Sequence, residues 1–209
     1  MFKKALVLSL VLAAAVSGPV RADDVRDLDH ITFAELNTHG QEGVVESSIT
    51  FLANVNIETV LTHLLDKDVL SKIAPDHITV DSVEKTSENA DQIEYKVVES
   101  ITPLMKVPFV TDKMDASKVY LNFTVSKRAL SEKMVYVKYD LDPTKPNGWE
   151  VMSGRIHAVD LKNGHTMILL ASSTKSKYGM PATIRLKLAK LYLEKAKGHV
   201  LNWINSLQK

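Results

Sequence analysis

Arg155 and His157 stand two residues apart in a patterned stretch, a spacing that puts both side chains on one face of an extended strand. Turned inward, the pair would bind a ligand carboxylate or phosphate through charge-assisted hydrogen bonds. The alternate positions, Met152, Gly154, Ile156 and Ala158, make the more apolar face, so Arg155 and His157 are expected to face solvent.

The other residues that do chemistry are scattered. Histidines stand at His30, His39, His63, His77, His157, His165 and His199 without HExxH spacing or a close carboxylate cluster, so neither a metal site nor a cofactor is expected. His199 falls on an apolar helical stripe and reads as a core residue. No GxSxG marks a nucleophile elbow. The chain has no cysteine, which excludes thiol chemistry, disulfides and a lipid anchor on cysteine. Tyr95, Tyr139, Tyr192 or an inward His157 could act as a general acid or base, but no spacing singles any of them out. No catalytic residue is assigned.

These residues sit on a recognisable order of elements. Val45, Ser47, Ile49, Phe51 and Ala53 alternate with polar neighbours, the mark of a half-buried strand. Asn56 is placed to cap a helix carrying Ile57, Val60, Leu61, Leu64 and Leu65 at helical spacing. Asp68 is expected to cap a second short helix that ends before Pro75. About six strands follow. Ile78, Val80 and Ser82 lie on the first; Ile93, Tyr95 and Val97 on the second; Val119, Leu121, Phe123 and Val125 on the third. Val135, Val137 and Tyr139 lie on the fourth. Trp149 to Leu161 and His165 to Lys175 form the last two, joined by Asn163-Gly164, a hairpin signal. From Pro181 an apolar stripe through Ile184, Leu188, Leu191, Tyr192, Ala196, His199, Val200, Trp203, Ile204 and Leu207 predicts one helix of roughly 25 residues. Its basic residues Arg185, Lys187, Lys190, Lys195 and Lys197 read as a solvated face, with anionic headgroups as an alternative partner.

The fold class is therefore α+β. A curved antiparallel sheet of about seven strands wraps a long C-terminal helix, with two short helices after the first strand. A sheet needs a cover on its apolar face, and the last helix is the element large enough to supply it. A gap between the two layers would suit an apolar ligand. The expected lining is Phe51, Ile93, Tyr95, Val97, Leu121, Phe123, Val135, Val137, Tyr139, Met152, Ile156, Ile168, Leu188, Tyr192 and Trp203. A solid core needs the same residues at the same spacing. Between Pro103 and Phe109 a loop carries Leu104, Met105, Val107 and Phe109 with Lys106 as its charge. It suits a cavity gate or a membrane contact, or folds onto the core.

The chain resembles the START-like helix-grip superfamily, often grouped as SRPBCC, which includes lipid-transfer domains and polyketide cyclases. The resemblance covers roughly Val44 to Leu207. It rests on Ala53-Asn54-Val55-Asn56-Ile57-Glu58-Thr59-Val60, Leu65-Asp66, Gly148-Trp149, Ser153-Gly154, Asn163-Gly164-His165-Thr166 and Met180-Pro181. These residues punctuate structure and mark no active site. The resemblance implies a protein that binds lipids or other apolar molecules, with a minority of relatives being enzymes.

Residues 1–22 read as a secretory signal peptide. Lys3 and Lys4 precede the apolar stretch Ala5 to Val16, and Val20-Arg21-Ala22 fits a cleavage site. The apolar run is shorter than the ~20 residues that span a bilayer. Residues 23–43 are a polar lead-in with a short patterned piece from Ile31 to Leu36, and 44–209 form the helix-grip domain. Cleavage would remove Lys3, Lys4 and Arg21, leaving a slightly acidic chain unsuited to nucleic acid. The expected protein is exported, most naturally to a periplasm, and binds or transfers a lipid or other apolar molecule with transient membrane contact. The alternatives are a cyclase- or aromatase-like enzyme and a scaffold for a partner protein. Ligand identity and oligomeric state are not readable from the sequence.

Overall fold

The computed structural model describes residues 33–37, 44–63, 65–74, 76–102, 117–162, 164–177, 179 and 181–206. Eight strands form a single antiparallel sheet: β1 (Phe33–Asn37), β2 (Val45–Ala53), β3 (Ile78–Glu88), β4 (Gln92–Ile101), β5 (Ser117–Ser126), β6 (Met134–Leu141), β7 (Trp149–Asp160) and β8 (Thr166–Ser176). Their spatial order is β1-β2-β8-β7-β6-β5-β4-β3. Strands β3 through β8 are antiparallel neighbours in sequence order, while β2 lies beside β8. The helices are α1 (Ile57–Thr62), α2 (Lys67–Ile73), α3 (Lys127–Ser131) and α4 (Ala182–Ser206). From Val45 onward the sheet has seven strands, as expected. The polar lead-in adds β1, which pairs with β2 from Phe33 opposite Thr50 to Asn37 opposite Glu46.

Alternation selects the inner face. Val45, Ser47, Ile49, Phe51 and Ala53 are buried on β2, while Glu46 is exposed. Val97, Val119, Leu121, Val135, Val137, Ala158 and Ile168 continue that face across the sheet. Helix α4 has 25 residues, or about 38 Å at 1.5 Å per residue, long enough to cross the strands. It contributes Leu193, Val200, Trp203 and Ile204 to the same core. Burying each large apolar side chain of this kind contributes roughly 1.5–3 kcal/mol. Pro181 opens the helix, its carbonyl accepting from the Ile184 and Arg185 amides at 3.0 and 3.1 Å.

Local chemistry corrects several boundaries. Asp66, not Asp68, caps α2, its side chain accepting from the amides of Asp68 at 2.8 Å and Val69 at 3.4 Å. Asp68 instead sits in the first turn, where its charge suits the helix dipole. Asn56 occupies the N-cap position of α1 but makes no side-chain cap bond. Helix α1 stops at Thr62, short of Leu65, which is buried with φ 60°. Helix α3 was not expected; Ser126 caps it by accepting from the Ala129 amide at 3.2 Å. The β7–β8 connection is longer than a two-residue turn. Leu161 donates to the His165 carbonyl at 3.0 Å, and Lys162 and Gly164 have φ of 61° and 82°. Thr166, fully buried, donates its hydroxyl to the Val55 carbonyl at 2.7 Å and ties β8 to the approach to α1.

Candidate functional site

A cavity of about 270 Å³ lies between the sheet and α4. Its floor comes from inward positions on β2 to β8. Its roof is α4 through Arg185, Leu188, Ala189, Tyr192, Leu193, Ala196 and Val200, and one side is α2 with Leu70 and Ile73. The strand register explains why space exists here. Tyr95, Phe123, Tyr139, Gly154, Ser172 and Ser47 form one transverse row across β4, β5, β6, β7, β8 and β2. The row begins with large aromatic rings and ends with small residues. Phe123 and Tyr139 stack with centroids 5.3 Å apart. Beyond them, the Tyr139 ring reaches over Gly154, and the two serines leave room below the helix.

Seven of the expected lining residues border this cavity: Leu121, Phe123, Tyr139, Met152, Ile156, Leu188 and Tyr192. The remaining eight do not. Phe51, Val97, Val135, Val137, Ile168 and Trp203 are buried core, and Ile93 and Tyr95 pack partly buried against it. The reason is physical: period-2 alternation identifies the inner face but not the stretch of it from which the helix stands away. Arg155 is exposed in outward register opposite Lys138, and it also borders the cavity. His157 does not border it. Its ring meets Tyr136 edge-on at 5.8 Å, and burial first, then Arg155, lowers its pKa. The two residues thus share a face without sharing a site. Leu104, Met105, Val107 and Phe109 lie outside the described residues. His199 is not a core residue but approaches the Asp76 carboxylate at 3.4 Å.

The structure adds polar groups to this wall. Glu99 lines the cavity, opposite Val80 on β3 and Val119 on β5. Burial, reinforced by the nearby Asp81 charge, pushes its carboxyl up to about 7. Among the described residues no hydrogen bond or ion pair reaches that carboxyl. Burial also raises Tyr139 to about 12, a shift partly offset by a side-chain hydrogen bond with Ser172. Tyr192 is raised well above its ordinary value by burial, then by Tyr139 and Glu99. His77 meets Tyr192 edge-on at 5.6 Å, and burial first, then Lys195, pushes it down to about 4. His77 Nδ1 and Trp149 Nε1 are buried without a hydrogen bond among the described residues, and both side chains line the cavity. Arg185 also lines it, so it departs from the solvated basic face that Lys187 and Lys190 occupy. Among the described residues no group of three or more His, Asp or Glu side chains is arranged to hold a metal.

Glu99 had a signal in the sequence. It continues the alternation of Ile93, Tyr95 and Val97 by one more step, which places a carboxyl on the inner face. Arg185 similarly precedes Leu188 and Tyr192 by helical steps.

No family model and no curated protein matches the sequence. Solved structures do match. Human StAR-related lipid transfer protein 5 superposes with a TM-score of 0.57 at 10% identity, covering 97% of this chain and 99% of that one. A START superfamily protein from Mycobacterium smegmatis gives 0.53 at 14% identity, covering 78% and 98%. The fold is the START-like helix grip. The Zhui aromatase/cyclase from Streptomyces sp. R1128 shares the START-like fold at a TM-score of 0.50 and 12% identity, covering 77% and 91%. The helix-grip scaffold thus occurs in proteins named for lipid transfer and in one named for cyclisation, and fold alone does not choose between them.

Proposed function

We propose that this protein binds and carries a lipid or another apolar molecule in the cavity beneath α4. The observation that carries the reading is the cavity itself: about 270 Å³ walled mainly by aliphatic and aromatic side chains, with few polar groups. Such a site gains affinity from burial and orients its ligand through those few groups. In this reading the START-like helix grip is used for transport and no bond is made or broken. The signal-peptide pattern of residues 1–22 supports action outside the cytoplasm, and a periplasm is the proposed location. There an apolar molecule must cross water between two membranes. Leu104, Met105, Val107 and Phe109 are the proposed gate or membrane contact. Native mass spectrometry of protein purified from its own host, followed by solvent extraction, tests the carrier reading. An apolar molecule bound at one per chain supports it. A bare mass, with no uptake of added lipid, rejects it.

One observation favours a cyclase-like enzyme as the second reading. Glu99, at about 7, is poised as a general base, with the Tyr139 and Tyr192 hydroxyls in the same cavity. Incubation with a linear polyketone separates the readings. Cyclisation that Glu99→Gln abolishes would establish the enzyme, and unchanged polyketone leaves the carrier.

A further inference from the structure

A carboxyl in an apolar cavity costs free energy unless something satisfies it. Glu99 lies between Val80 and Val119 on an otherwise apolar stretch of wall, and among the described residues nothing donates to it. The groups that face it come from three elements. Asp81 on β3 carries a like charge, and its carboxylate accepts from the Ser100 hydroxyl at 2.8 Å. Tyr139 on β6 is engaged with Ser172 and stacked on Phe123. Tyr192 on α4 packs against His77. None of these neighbours brings a positive charge to Glu99, and the cations of the cavity, Arg155 on β7 and Arg185 on α4, are not among the groups that shift it. His77, Trp149, Arg155 and Arg185 also line the cavity, but among the described residues none of them makes a hydrogen bond or ion pair with Glu99, so it is an acceptor that no donor of the wall engages.

We propose, on the carrier reading, that Glu99 is the polar anchor of the cavity and takes the hydrogen-bond-donating head, hydroxyl or amine, of an otherwise apolar ligand. The ligand tail fills the space between Leu121, Met152, Ile156 and Leu188. The head reaches Glu99 beside Tyr139 and Tyr192. The anchor works in both protonation states. An ionised carboxylate accepts from a hydroxyl or a protonated amine, and the neutral acid still accepts through its carbonyl oxygen. A carboxylate head is disfavoured, because it would set a second negative charge beside Glu99 and Asp81.

Calorimetric titration with dodecanol, dodecylamine and dodecanoate tests this assignment. The expected result is that both donor amphiphiles bind at least about tenfold tighter than dodecanoate near pH 8. Acidification to about pH 5.5 protonates Glu99 and should weaken dodecylamine by about tenfold while leaving dodecanol nearly unchanged. Glu99→Leu removes the acceptor and should erase the preference for donors. Glu99→Gln keeps the shape and the carbonyl acceptor. It should retain dodecanol binding and lose the pH dependence of dodecylamine, which also controls for folding. Equal binding of all three amphiphiles to the native protein and both variants would overturn the anchor and leave the carrier reading intact. Dodecanoate binding as tightly as dodecylamine would likewise overturn it. Binding of none, with the cavity holding water only, would overturn both.

Discussion

The side chain of Tyr139 occupies the space that a side chain at Gly154 would need. The two are register partners on β6 and β7, and a Cβ built on Gly154 would collide with the Tyr139 hydroxyl and with the Ala171 carbonyl. The missing side chain is what allows the ring to cross β7 and meet Ser172 on β8. Gly154→Ala should therefore cost roughly 1–3 kcal/mol, the usual range for overpacking a core. Urea denaturation reads this directly as a lower midpoint. An unchanged midpoint would mean that Tyr139 is not seated over Gly154.

Glu99 and His77 give opposite pH dependences. Glu99 titrates at about 7 in the fold against an ordinary 4.5, so the folded protein holds the extra proton between those values. It adds no penalty below about pH 4.5, and destabilises increasingly up to pH 7, by about 3 kcal/mol. His77 titrates at about 4 against an ordinary 6.5, so its contribution is complete above pH 6.5 and is lost as pH falls toward 4. His77 is only half-buried, and solvent screening reduces its share to roughly 1–2 kcal/mol. The two effects partly cancel between about pH 4.5 and 6.5. Glu99→Gln should leave stability falling on acidification across that window. His77→Gln should leave it rising. Thermal unfolding at a series of pH values checks both signs, and parallel profiles for the two variants would refute the assignment.

Thr166 and Val55 join two segments that are distant in sequence by a single buried hydrogen bond of 2.7 Å. Thr166→Val keeps the shape but leaves the Val55 carbonyl without its donor, at an expected cost of about 1–3 kcal/mol. Thr166→Ser keeps the hydroxyl and should recover much of that loss. Equal stability of the two variants in chemical denaturation would show that the bond contributes nothing.

The sheet and the last helix were legible because their sequences repeat at different periods. Val45 to Ala53 alternates, whereas Leu188, Tyr192, Ala196 and Val200 recur every four residues. The edge strand Phe33–Asn37 was less legible because it is short and lies in a polar segment. Cap choice was ambiguous, since Asp66 and Asp68 both precede apolar residues and only backbone geometry selects Asp66. The boundary between core and cavity was not legible at all. Val137 and Tyr139 are successive inward residues on one strand, yet Val137 is solid core and Tyr139 faces the void. That difference depends on how far α4 stands from each position. Glu99 was legible in principle, as the next inward step after Val97.

Ala189 sits on the face of α4 that roofs the cavity. Filling the cavity from this position tests whether an apolar ligand sits beneath α4. Titration with the apolar dye Nile red, followed by fluorescence, compares the native protein with Ala189→Trp. The native protein should bind saturably at one dye per chain. The variant should lose at least about tenfold in affinity, with no fall in Tm, because the indole would occupy apolar space that the ligand uses. Equal dye binding by a folded variant, or none by the native protein, would contradict binding beneath α4.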